Sequence, residues 1–443
     1  MTRTAAIAER VLEHVGDEAE AEVVVTAGTD GLTRFANSFI HQNVAEEGVS
    51  IRLRVAVDQR VGSATMTGAD DGVVGRFVER AIATAALQPV DHDWPGLATS
   101  GDVTIPGHED EATKSCGPGE RAELVKAFID AGQGLNAAGY CQTIANEVAF
   151  ANSAGHVAGA SYTQATLDGI HRTSTSAGSG HATSARIADI DAAAVGGLAA
   201  RRARDGEGGY DVKPGEYEVV LAPECVATIA VFLAGYGFNA KAHIEGQSFA
   251  RLGDQQFDEK LHLVDDAGRL GAVGFGFDVE GTPKGQVHLV SSGVTSGLAH
   301  DRRTAAKAGE RSTGHAVPGG EVFGPFPLNV FVEGGAASVD DMIASVDRGL
   351  YVATFNYCRV LDPKTLAVTG LTRNGTFMIE NGVITGAVTN MRFTQSFVAA
   401  LGPGRLLGLG DDGRLADSEF GPAVIHAPSL RLASWHFTGG AAG

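Results

Sequence analysis

The sequence predicts an α+β chain in two parts: an N-terminal α/β-layered domain of paired strands and helices over residues 1–205, and a C-terminal antiparallel β-barrel-like domain over 216–443. Three observations carry this. In the first half, runs with period-2 apolar alternation stand beside runs with helical period, the pattern of sheets covered by helices. Residues 202–217 (RARDGEGGYDVKPGEY) are polar, glycine-rich and interrupted by Pro214, the composition of a domain boundary. Beyond them the chain becomes a succession of apolar strand-like runs, and its 60 glycines fit the many turns such an architecture needs.

The first helix is expected over 4–15, where Ile7, Val11, Leu12 and Val15 fall on one face. Residues 21–28 form a continuous apolar run. Residues 50–57 alternate Ile51, Leu53, Val55 and Val57 with Arg52 and Arg54, a strand with one wet face. Asp70 is placed to cap a helix running to about Leu87 with Val74, Phe77, Val78, Ala81 and Ile82 inward. Residues 88–119, rich in Pro, Gly and Asp, read as a long surface connection. A helix over 118–131 follows, with Leu124, Val125, Phe128 and Ile129 as its apolar stripe. Short strands are expected over 140–183, then a helix over 189–203. In the second half a single helix over 223–238 interrupts the strands, and Asn381-Gly382 marks a hairpin.

A formal net charge of −19 argues against a nucleic-acid-binding surface, which needs a concentrated basic stripe. No stretch approaches the roughly 20 apolar residues that span a bilayer, and Glu9 and Glu13 interrupt the N-terminus where a signal peptide would be apolar. Cys116, Cys141, Cys225 and Cys358 show no CxxC spacing, so idle thiols in a reducing cytoplasm are the expectation.

The chemistry-bearing stretch lies between Val219 and Asp266. GQSFARLG (246–253) and LHLVDD (261–266) stand downstream of the apolar helix; SGLAHDRRTAAKAGERSTGHA (296–316), GLYVATFNYCRVLD (349–362) and TGLTRNGTFMIENGVIT (369–385) follow in order. In these stretches the chain resembles the TldD/TldE (PmbA) family of peptidases. The resemblance covers most of the C-terminal half and is weaker in the N-terminal half. TldD-type subunits carry an HExxxH motif and a later cysteine. Here the two histidine positions fall on Val231 and Tyr236, the glutamate position on Phe232 and the cysteine position on Phe355, three residues short of Cys358. Zinc needs imidazole, thiolate or carboxylate donors and a general base for its water, which these residues do not supply. Histidines five apart on a helix lie about 140° apart around its axis, so the motif needs a local distortion, which Gly235 and Gly237 would permit.

The resemblance therefore implies a TldE/PmbA-like subunit without catalytic or metal-ligating residues of its own. It also implies zinc in a TldD-type partner, an unstructured peptide as substrate and a homodimer when the chain is alone. The family's older description as gyrase modulators finds no support in this charge balance. Two alternatives stay open: a self-contained homo-oligomeric hydrolase with ligands relocated to residues such as His243, Glu245 and Cys358, and a non-enzymatic binding or regulatory protein. The candidate substrate-groove residues are His243 and Glu245, which share a face if their segment is extended, and Arg373, whose planar donors suit a carboxylate or peptide carbonyl. His300, His315, Glu224 and Cys225 read more simply as structural residues.

Overall fold

The computed structural model describes residues 2–99, 101–418 and 424–440. The N-terminal part begins with helix α1 (Arg3–Val15), capped by Thr2, whose hydroxyl accepts from the Ala5 N–H. A six-stranded antiparallel sheet follows: β1 (Glu20–Ala36), β2 (Phe39–Val57), β3 (Arg60–Thr67), β4 (Asn136–Asn152), β5 (Val157–Arg172) and β6 (Ala177–Ser184), in spatial order β3-β2-β1-β4-β5-β6. Helix α2 (Asp71–Ala86) is capped by Asp70 as expected. Helices α3 (Pro118–Ala131) and α4 (Ala192–Asp205) also lie near the predicted spans.

All four helices cover one face of this sheet. Ala21, Val23, Val25, Ile51, Leu53 and Val55 pack under α1 and α2, while Ala137, Cys141, Ala165 and Leu167 pack under α3 and α4. Because strand side chains alternate, the residues between them point to the opposite face, and Val24, Val148 and Phe150 there meet Phe277 of the C-terminal half.

The strands expected to be short over 140–183 are long: β4 spans 17 residues and β5 spans 16. Likewise β1 and β2 continue far beyond 21–28 and 50–57. The extensions are polar and largely exposed in β2, so no apolar alternation announces them. The glycine-rich run at 177–184 is strand β6 because helix α4 lies directly on it. A Cβ on Gly178 or Gly180 would stand 2.2 Å from the Ala199 carbonyl oxygen or 2.4 Å from that of Val195. The 88–119 segment is more than a surface connection. It contains a one-turn helix (Glu111–Lys114), and Arg302 of the C-terminal half grips its carbonyls at Gly96 and Leu97 (2.5 and 2.8 Å).

In the C-terminal half, strands β7 (Gly215–Leu221), β8 (Arg348–Asp362), β9 (Ala367–Glu380), β10 (Met391–Ser396) and β11 (Leu430–Gly440) close into a five-stranded barrel in the order β8-β7-β11-β10-β9 and back to β8. Four pairings are antiparallel, but β7 and β8 run parallel. A parallel pair requires a crossover, and everything from 222 to 347 serves as one. At the predicted hairpin, Asn381 and Gly382 both adopt positive φ (50° and 78°) between β9 and strand Val383–Ala387, the two-residue turn that matches strand twist.

Helix α5 (Pro223–Tyr236) leaves β7 and is buried along nearly its whole length. A helix apolar all round has to be enclosed on every side. The barrel encloses it on one side, and on the other stands a second sheet ordered Val294–Thr295, Val287–Ser291, Leu263–Asp265, Asn329–Val332, Val424–Ala427, Arg414–Ala416.

Candidate functional site

The four positions at which the resemblance places metal chemistry are filled by packing. Val231, Phe232 and Phe355 are buried, and Tyr236, the last residue of α5, is 41% exposed. Tyr236 stacks on Phe232 (ring centroids 5.9 Å, planes 11° apart), and Phe232 meets Phe397 edge-on at 5.9 Å. Phe397 lies 5.6 Å from Trp435, which stacks at 5.1 Å on Phe355, itself 4.7 Å from Phe393. A continuous chain of rings thus joins the helix positions to the strand position. Phenyl, isopropyl and phenol groups do not fit a zinc ion. Among the described residues no group of three or more His, Cys, Asp or Glu is placed to hold a metal.

The helix end is distorted where the motif would need it: the N–H groups of both Gly237 and Phe238 bond to the Leu233 carbonyl (2.9 and 3.1 Å). The glycines serve close packing rather than positive φ. Gly237 has φ −107°, and a Cβ there would stand 2.0 Å from the Phe249 ring; on Gly235 it would stand 2.9 Å from Phe326.

At the other end of α5, Glu224 is buried between Arg414 (2.7 Å) and Arg202 (3.6 Å). Burial pushes its carboxyl up, but the two guanidinium groups more than offset this and hold it below the usual carboxylate range. The neighbouring Cys225 points its Sγ at the Val352 carbonyl (3.5 Å), and burial drives its thiol well above the ordinary range, which makes it unreactive. His315 is buried between Asp265 (2.8 Å) and Thr313 (2.9 Å). These residues fix the scaffold.

His243 and Glu245 do not form a pair facing one groove. Their segment is the helical turn Ala240–Ile244, not an extended strand, so positions two apart point in different directions. Glu245 is exposed and pairs with Lys241 (2.9 Å). Arg373 lies within strand β9, immediately before the positive-φ residues Asn374 and Gly375. Its guanidinium donates to Asn356 (3.2 Å). Of the three groove candidates it alone lines a described cavity, one of about 680 Å³ bounded by the β5–β6 turn with Arg172 and by β9.

Sequence reading missed a hydrogen-bonded series on the sheet face opposite the helices. Asp168 bonds His181 Nδ1 (3.1 Å), His181 Nε2 bonds the Thr183 hydroxyl (2.9 Å), and Thr183 bonds Thr166 (3.0 Å). Burial lowers the His181 pKa, but Asp168 raises it by more, so the imidazole is held toward its charged form and is a poor base. The spacing of His181 and Thr183 on one strand face was a signal for this, but their partner across β5 was not visible without the strand register.

Residues 214–439 match the PmbA/TldA metallopeptidase C-terminal domain family. The chain belongs to the TldD/PmbA metallopeptidase family. Among curated relatives, a Methanothermobacter thermautotrophicus metalloprotease is 26% identical over 144 residues, 31% of each chain. A Buchnera aphidicola metalloprotease TldD homolog is 24% identical over 231 residues, 49% of this chain and 47% of that one. The matches thus span less than half the length of these relatives. Among solved structures, TldE from Thermococcus kodakarensis superposes with a TM-score of 0.86 at 18% identity, covering 98% of this chain and 99% of that one. A Bacteroides thetaiotaomicron protein named as a candidate modulator of DNA gyrase superposes with a TM-score of 0.84 at 20% identity, over 99% of both chains. At such identities the likeness concerns the fold.

Proposed function

We propose that this chain is the TldE/PmbA-like, non-catalytic subunit of a zinc-peptidase complex, helping to bind unfolded peptides that a TldD-type partner cleaves. The observation that carries the reading is the ring chain Tyr236–Phe232–Phe397–Trp435–Phe355, which occupies the positions where a metal-bearing relative would need donors. A hydrolase with relocated ligands is disfavoured, since Glu245 is taken up by Lys241 and Cys358 is fully buried. Arg373 beside its cavity is the candidate contact for substrate backbone. A cytoplasmic location is supported by four cysteines without a disulfide, and no helix among the described residues is long and apolar enough to cross a membrane.

The test mixes this chain with a homologue bearing HExxxH and the later cysteine, then follows sedimentation and cleavage of an unstructured peptide. The expected result is no zinc in the chain alone, a complex burying well over about 1,000 Å² and cleavage that needs both chains. Stoichiometric zinc retained by the isolated chain through chelator washing, or a 45.6 kDa monomer in both sedimentation runs, overturns the reading.

A further inference from the structure

A second cavity, of about 480 Å³, lies where the helix-free face of the N-terminal sheet meets the C-terminal half. Its walls are largely apolar: Val24 and Val148 come from the sheet and Phe277 from the opposite half, while Tyr162 stands 5.5 Å from Phe275, whose ring is 4.7 Å from Phe277. Into this lining projects one ammonium group, that of Lys284. Its backbone is pinned, with its N–H bonded to the Gly276 carbonyl (2.9 Å), and its Nζ sits 5.5 Å above the Phe275 ring. Among the described residues no carboxylate lies within ion-pairing distance of it.

The nearby acids are already engaged. Asp278 accepts from the N–H groups of Glu280, Thr282 and Ala316, each at 2.9 Å. Asp265 is bound by His315 (2.8 Å) and by the Asn329 N–H (2.8 Å). The cavity's other cation, Arg52, is paired with Glu321 (3.0 Å). Asp265 and Asp278, the latter also lining the cavity, favour the charged form of Lys284 from a distance but make no direct ion pair with it, and a cation in a largely apolar recess without a direct partner gains from a ligand that supplies negative charge at contact. Apolar walls with a few convergent polar groups are the usual form of a small-ligand site, and the volume falls in that range.

We infer that this cavity binds a carboxylate carried on an apolar group, either the C-terminus of a peptide ending in a hydrophobic residue or a free aryl or alkyl acid, with Lys284 holding the carboxylate and the Phe275–Phe277–Tyr162 wall holding the apolar part. The Tyr162 hydroxyl, which accepts from Asn146 (2.9 Å), keeps its own proton available for the ligand. Burial lowers the Lys284 pKa, so binding weakens with rising pH earlier than it would for an ordinary lysine. The site needs no partner subunit.

Calorimetric titration of the full chain with N-acetyl-leucyl-phenylalanine, its C-terminal amide and 3-phenylpropionate tests this. Both acids are expected to bind, with the amide about tenfold or more weaker, the scale of a charge-assisted contact. Lys284→Met is expected to bring the acids down to the amide's level. Tighter binding of the dipeptide acid identifies a peptide C-terminus as the ligand, and tighter binding of phenylpropionate identifies a free acid. Should Lys284→Met fail to fold, the acid-to-amide ratio in the unaltered chain decides alone. Equal binding of acid and amide, no binding of any probe, or a folded Lys284→Met that binds the acids as before overturns the assignment.

Discussion

Glu224 is a carboxylate whose two arginines come from distant parts of the chain, Arg202 on α4 and Arg414 in the second sheet. Removing its charge leaves two guanidinium groups facing an apolar helix end. Glu224→Gln is therefore expected to cost about 3–5 kcal/mol in denaturant unfolding, as breaking a buried pair does. Since the folded state lowers its pKa, its contribution is present above the ordinary carboxylate range and fades as the pH falls through the depressed value. The ring chain supports a second expectation. Val231→His, Phe232→Glu, Tyr236→His and Phe355→Cys together remove two buried rings, a loss of roughly 3–5 kcal/mol for each ring if its site stays empty. With zinc present part of that loss should return, so the thermal midpoint of the quadruple variant should rise on zinc addition while the unaltered chain shows no shift. A folded quadruple variant indifferent to zinc would mean that the motif positions are misassigned.

Helix α5 shows how an element is fixed by what surrounds it. Its C-terminal glycine, Gly237, lies under the Phe249 ring with ordinary φ, so Gly237→Ala acts by steric overlap alone. The change should destabilise by about 1–3 kcal/mol, and Phe249→Leu in the same chain should recover part of it, a coupling that a double-mutant cycle measures directly. Elements like this were legible in the sequence where side chains declare a period or a cap. Asp70 and the stripe Val74, Val78, Ala81 placed α2 to within a residue, and the apolar run read as a helix over 223–238 placed α5, which ends two residues earlier at Tyr236. The outer halves of β1 and β2 were not legible, because their partners are the backbone of a neighbouring strand in an exposed ribbon; β6 lay within the strands expected over 140–183, but the helix lying on Gly178 and Gly180 was not visible. Site legibility follows the same division. The residue types at Val231, Tyr236 and Phe355 are plain in the sequence, whereas the ring chain joining Tyr236 to Phe355, and the non-pairing of His243 with Glu245, depended on the fold.

At the scale of the molecule, the two halves share a buried charge cluster. Arg54 on β2 holds Glu22 of β1 (2.6 Å) and Glu280 of the C-terminal half (2.9 Å), beneath Trp94 at 4.9 Å. Burial raises the Glu22 carboxyl to about 7, and burial together with Glu280 raises Asp278 to about 7. A folded state that keeps these protons longer than the unfolded chain is most stable below the ordinary carboxyl range, 4.5 for Glu22 and 3.8 for Asp278, and loses that advantage as the pH rises to about 7. Unfolding midpoints are therefore expected to fall between about pH 5 and pH 7 through this cluster, a window above the acidic one in which Glu224 makes stability depend on pH. Glu22→Gln should flatten that decline. A profile identical in Glu22→Gln and the unaltered chain would exclude Glu22 from the effect.

The parallel seam between β7 and β8 has a consequence for how the chain is made. The six-stranded sheet and its helices are complete once residue 205 has been synthesised, because each strand finds a partner among residues already present. Strand β7 has no such neighbour: its partners are Gly349–Val352 and residues of β11 from Leu430 onward. At the usual pace of about 5–20 residues per second, α5 waits on the order of 10–40 s between leaving the ribosome and the arrival of the strand that seals the barrel. For that interval the most apolar helix of the protein is only partly enclosed, and closure depends on contacts of long sequence separation, which form slowly. Production of this protein should accordingly be limited by assistance to the nascent second half, such as a chaperone that shields α5, more than by the final stability of the folded molecule.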